Sequence, residues 1–189
     1  VNIHHTVTNT EHDDDLHSGG ILRLHPGQPR LWRHRFQHWY APFAYMLLYI
    51  NWIWYNDIKK YFGRKIHTTE IKKISLANHL TFWSGKVFHG VFMVAIPWYR
   101  LGFASWLIGY LVFAFVLGFI MSIVFQLAHV VEKSTFPTSE NGRITHPSWA
   151  TIQIMETCDF GTRNKVLTWF LGGLNFQVEH HVFPKISHV

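Results

Sequence analysis

Cysteine is nearly absent from this 189-residue sequence: Cys158 stands alone. A single thiol excludes an intrachain disulfide and disfavours structural zinc and iron–sulfur sites, which rest on several thiolates. It fits a reducing or redox-neutral setting. Charge is also sparse, at 15% of residues, with a balance of +6. A basic excess suits nucleic acid or an anionic membrane surface. No nucleic-acid motif accompanies it, so no nucleic-acid partner is expected. Internal repeats and low-complexity tracts are missing too, and no dinucleotide-binding fingerprint appears. The length favours one domain.

What the sequence has in excess is histidine and aromatic residues. It holds fifteen His, nine Trp and sixteen Phe. Such an aromatic load suits an interfacial or lipid environment. Three apolar segments follow a polar opening of some forty residues. "APFAYMLLYINWIWY" covers 41–55, "LTFWSGKVFHGVFMVAIP" covers 80–97 with Lys86 and His89 inside it, and "ASWLIGYLVFAFVLGFIMSIVF" covers 104–125 without a charge. At about 1.5 Å per residue the third comfortably spans a hydrocarbon core of about 30 Å. The first reaches only roughly 22 Å and reads as a helix lying in the interface.

The expected fold is therefore mainly α and integral to a membrane. It comprises a transmembrane helical hairpin from the second and third segments, an interfacial helix at 41–55, and a histidine-rich cap. An even number of crossings keeps the first and last histidine pairs on one side. Lys59, Lys60, Arg64, Lys65, Lys72 and Lys73 lie between the first two segments, against Arg100 in the far loop. By the positive-inside rule the histidine clusters face the cytoplasm.

The chain closes on "NFQVEHHVFPKISHV". If 177–181 is helical, Gln177, His180 and His181 project from one face and deliver two imidazoles and an amide to one small volume. His4 and His5 form a second adjacent pair, followed by His12 and the acidic run Asp13, Asp14 and Asp15. His129, in "FQLAHVVEK", sits just past the long apolar segment, at the mouth of the hairpin. Imidazole suits Zn, Cu, Fe and Ni. Clusters from separate segments exceed what one tetrahedral ion needs and suggest two metals. Several other features have plainer readings. "HPGQ" at 25–28 is a turn, and His34 and His38 belong to a basic, lipid-facing surface beside Arg30, Arg33 and Arg35. His17, His67, His146 and Cys158 lack identifiable partners.

Together these pieces resemble the membrane fatty acid desaturases, specifically the front-end (Δ5/Δ6, linoleoyl-CoA-desaturase-like) branch. That family carries three histidine boxes, H-x-x-x-H, H-x(2,3)-H-H and H/Q-x-x-H-H. "VNIHH" looks like the second box without its first histidine, and "QVEHHVFPKISHV" looks like the third with the glutamine of the front-end branch. "HRFQHWYAPF" and "FQLAHVVE" also look like family segments. On this resemblance residues 1–189 are a partial desaturase domain that starts inside the second box and lacks the first. The chain is expected to be a piece of something longer.

The resemblance implies a di-iron centre with O₂ as co-substrate. It implies His4, His5, His129, Gln177, His180 and His181 as metal residues, with Asp13, Asp14 and Asp15 orienting imidazoles from behind. The substrate would be a fatty acyl chain on CoA or lipid, and electrons would come from a donor such as cytochrome b5 or ferredoxin. Two other readings stay open on the residues alone: a related membrane di-iron hydroxylase, and a membrane metal- or haem-binding protein without oxygenase activity. A transporter using intramembrane histidines is weaker, because the third segment offers almost no polar residue at mid-bilayer.

Overall fold

The three apolar stretches fold as helices, and the computed structural model of the chain is mainly α-helical, with a short antiparallel strand pair among the described residues. The structure describes residues 4–7, 19–66, 69–71, 73–131 and 148–186. They divide into two compact units, Val1–Pro42 with Ser122–Val189, and Phe43–Met121. His12, Asp13, Asp14, Asp15, His17, His67 and His146 lie outside the described residues.

In the Phe43–Met121 unit, Ser75 begins helix α5 (Leu76–His89) by accepting a hydrogen bond at its hydroxyl from the Asn78 amide, the usual answer to unpaired N–H groups at a helix start. The ladder widens into a π-helical turn at Gly90–Ala95 and continues as α6 (Ile96–Leu101). Gly102, at φ 79°, then reverses the chain in one residue, a backbone region open to glycine and costly for other residues. Helix α7 (Phe103–His129) follows. Trp106 Nε1 donates to the Met93 carbonyl at 2.9 Å, and His89 Nε2 meets the Tyr110 hydroxyl at 3.3 Å. These contacts step evenly away from the turn, so the two helices run antiparallel.

Among the described residues, α7 is the one helix long and apolar enough to cross a membrane. At about 1.5 Å per residue it measures about 40 Å. Only 17% of its most apolar window is buried, which argues against a core helix of a soluble domain. Ile108, Val112 and Val116 repeat every four residues along its open side. Ala114 and Ser122, four residues either side of Gly118, are buried, a small-residue row of the kind that lets a neighbouring backbone approach closely.

The first apolar segment extends beyond 41–55. A 3₁₀ turn (Trp32–Phe36) leads into α2 (Gln37–Met46), then α3 (Leu48–Ile50), a π-helical turn at Asn51–Asn56, and α4 (Asp57–Gly63). Within the Phe43–Met121 unit its later part packs on both antiparallel helices. Tyr49 meets Phe113 edge to face, Trp54 Nε1 donates to the Tyr110 hydroxyl at 2.7 Å, and Lys86 Nζ lies 2.8 Å from Asp57 and 2.6 Å from the Ile53 carbonyl. Strands β1 (Lys65–Ile66) and β2 (Thr69–Glu70) pair antiparallel.

In the other unit, the "HPGQ" stretch forms a turn closed by the Gln28 amide on the His25 carbonyl at 3.2 Å. Arg33 and His34 both reach the Gly20 carbonyl, which gives them a local bracing role. Helices α8 (Trp149–Glu156), α9 (Lys165–Phe170) and α10 (Gln177–Val182) complete the unit. Ser148 and Asn164 cap α8 and α9 with their side chains.

Candidate metal centre

Four pieces of one unit build the site. His4 and His5 open the short helix α1 (His4–Val7). His129 is the last residue of α7. The polar end of that helix therefore runs one turn beyond the uncharged stretch that ends at Phe125, and the Cys158 amide satisfies the Ala128 carbonyl at 2.8 Å. Gln177, His180 and His181 lie on α10, whose start is braced by Asp159 Oδ1 accepting from the Val178 amide at 2.9 Å. α8 packs against α10 from behind. Trp149 Nε1, at the head of α8, donates to the His5 carbonyl at 3.0 Å and ties α1 in place.

The six residues implied as metal ligands meet here. One ring nitrogen each from His4, His129 and His181 fall within 4.8 Å of one another. Ring centroids stand 4.8 Å apart for His4 and His129, 5.1 Å for His4 and His181, and 4.8 Å for His129 and His181. His5 stacks on His181 at 4.1 Å and meets His180 at 4.8 Å. Gln177 Nε2 lies 3.2 Å from His129 Nε2. The acidic residues Asp13, Asp14 and Asp15 fall outside the described residues, so their expected orienting role has no structural account.

Burial governs the electrostatics. His5, His129 and His181 are buried, while His4, His180 and Gln177 are half-buried. Burial, joined by the imidazoles of His180 and His4, lowers the pKa of His5 from 6.5 to about 4. Burial pushes His181 down further, helped by His129, His5 and His4. Both rings are neutral at pH 7, so each keeps a lone pair on one nitrogen. The unfolded chain then binds more protons than the folded one between about pH 4 and 6.5, and stability rises with pH across that window. Metal-free protein in detergent should be most stable above about pH 6.5 and lose stability on acidification towards pH 4. Thermal unfolding at pH 7 and pH 5 with a chelator present checks this, and equal midpoints would contradict it.

The donor set fits a metal. Nδ1 of His5 and Oε1 of Gln177 are buried without a hydrogen-bond partner. A buried amide oxygen is normally satisfied, and a cation satisfies it as well as a proton donor does. Five imidazoles and an amide, with no thiolate among them, suit iron, zinc, copper or nickel.

Two further buried polar residues belong to this unit and carried no motif. Gln153 and Glu156, on α8, are buried to 0% and 1% exposure. Their signal was a polar pair at three-residue spacing inside the apolar "WATIQIME", which puts both on one helix face. Gln153 Oε1 lies 2.8 Å from His181 Nδ1.

The family model described as fatty acid desaturase matches residues 2–189. The sn-1 linoleoyl-lipid 6-desaturase of Synechocystis sp. is 36% identical over 99% of this chain and 53% of its own length. The enzyme of the same name from Arthrospira platensis is 33% identical over 99% of this chain and 51% of its own. The acyl-lipid (8-3)-desaturase of Physcomitrium patens is 32% identical over 98% of this chain and 40% of its own. The chain thus spans about half the length of these relatives or somewhat less. No solved structure matches it.

Proposed function

The chain belongs to the fatty acid desaturase family, and on that premise we propose that it carries the histidine-lined part of an enzyme introducing a cis double bond into a fatty acyl chain. The reaction is of the front-end type, the acyl carrier is CoA or a lipid, and O₂ is the co-substrate. The observation that supports it most is the meeting of His4, His129 and His181, within 4.8 Å at their ligand nitrogens, from segments as much as 177 residues apart in the numbering.

His4, His129 and His181 would hold metal, with His5, His180 and Gln177 completing the ligand set for two irons. The chemistry supplied by bound iron is oxidation of an unactivated methylene, beyond the reach of any side-chain acid or base. The chain's own residues do the rest. Burial keeps the imidazoles of His5 and His181 neutral and available. The Trp149 bond to the His5 carbonyl and the Asp159 brace on α10 hold two ligand segments in place. Ring stacking of His5 on His181 leaves little room for water between them. Electrons come from a separate donor, cytochrome b5 or ferredoxin in kind.

The antiparallel pair Leu76–Leu101 and Phe103–His129 is read as a membrane hairpin, with Trp32–Gly63 at least partly interfacial. His129 ends α7, so the histidines lie at that end of the span. Six cationic residues between 59 and 73, against Arg100 in the far loop, support a cytoplasmic side for the histidines by the positive-inside rule.

Expression of the full-length protein in a host with an active electron donor, followed by fatty acid profiling, tests the reading. A new polyunsaturated species is expected. A hydroxylated product would move the reading to a hydroxylase, and an unchanged profile with iron absent from the purified protein would refute it.

A further inference from the structure

His181 is fully buried, and its Nδ1 lies 2.8 Å from Oε1 of Gln153, itself fully buried on α8. An amide oxygen only accepts hydrogen bonds, so at this contact the imidazole donates. Nδ1 therefore carries the ring proton and Nε2 the lone pair, since the two nitrogens of a neutral ring divide these roles. Unconstrained in water, neutral histidine prefers the opposite arrangement, with the proton on Nε2. The contact thus selects the less common form. The same ring contributes to the group with His4 and His129.

Gln153 is well placed to impose this choice. Ser148 caps the start of α8, and the Thr157 hydroxyl donates to the Gln153 carbonyl at 2.6 Å, fixing the backbone on both sides. Helix α8 packs along α10, so the two side chains face each other across a packed contact. We propose that Gln153 is a positioning residue that locks His181 in its Nδ1–H form and turns the Nε2 lone pair towards His4 and His129. What that lone pair meets rests on the metal-centre reading above, whereas the tautomer is a property of the metal-free chain.

The full-length protein, labelled with ¹⁵N-histidine and stripped of metal at pH 7.5, reports the tautomer through its ring nitrogen shifts. The His181 signals are identified by their loss in His181→Gln. Wild type should show a protonated Nδ1 and a bare Nε2. Gln153→Met keeps side-chain length and removes the acceptor, and should move the proton to Nε2 or mix the two forms. Gln153→Glu keeps an acceptor and should preserve the Nδ1–H form. Ferrous iron titrated into the same samples should bind roughly 10–100-fold more weakly to Gln153→Met, the usual cost of losing a residue that orients a ligand, and near wild-type strength to Gln153→Glu. An Nε2–H ring in wild type would overturn the proposal even if the Met variant failed to fold. So would an unchanged tautomer in Gln153→Met. A wild type with the expected tautomer and no affinity for iron would support the role of Gln153 and refute the metal centre instead.

Discussion

Replacing His181 with alanine should abolish product formation and weaken iron binding by more than about 100-fold, beyond the range for a residue that merely orients a ligand. The His181 ring touches four of the other candidate ligand imidazoles. His181 stacks on His5 and lies against His4, His129 and His180. Its removal takes away a proposed ligand and also loosens the packing that holds α1 to α10. His38→Ala is the matched control, because His38 is exposed and its ring lies against Trp39, on a different helix from the candidate ligands. Metal content of the two purified variants, with acyl products from the same cells, decides the matter. Full iron occupancy in His181→Ala would overturn the role given to this residue.

Valine at Gly118 should leave little folded protein. A Cβ there would stand 2.5 Å from the Met46 carbonyl oxygen and 3.0 Å from that of Tyr45. Both obstacles are backbone, which cannot rotate aside as a side chain would. Overpacking a tight site costs about 1–3 kcal/mol for small additions, and a branched side chain against a carbonyl sits at the upper end or above. Gly109→Val on the same helix meets open space and should be tolerated. Melting temperatures in detergent should separate the two. Similar values would mean that α7 and the end of α2 do not approach as closely as described.

Much of this was legible in the linear sequence. Twenty-two uncharged residues announce α7, because only a helix of that length satisfies its backbone in lipid. The adjacent histidine pairs announced themselves by type and spacing. Element ends were harder to read. Residues 126–129 look too polar to extend an apolar helix, yet they continue it, since His129 is buried among other rings and not exposed to water. The first segment likewise grows from fifteen apolar residues into helical elements spanning Trp32–Gly63, where polar side chains such as Asp57 find partners on a neighbour. The polar spacing of Gln153 and Glu156 marks a helix face, but the role of Gln153 was not legible, for a different reason. Its importance comes from a contact with a residue 28 positions away, and no periodicity within α8 encodes what α10 will present to it.

Lys86 bears on how this chain enters a bilayer. It sits mid-way along a helix read as crossing lipid, where a lone ammonium is expensive. Its two partners, the Asp57 carboxylate and the Ile53 carbonyl, belong to a stretch translated earlier. The later helix thus meets a counter-charge on a segment already synthesised, so its ammonium is neutralised from within the same unit.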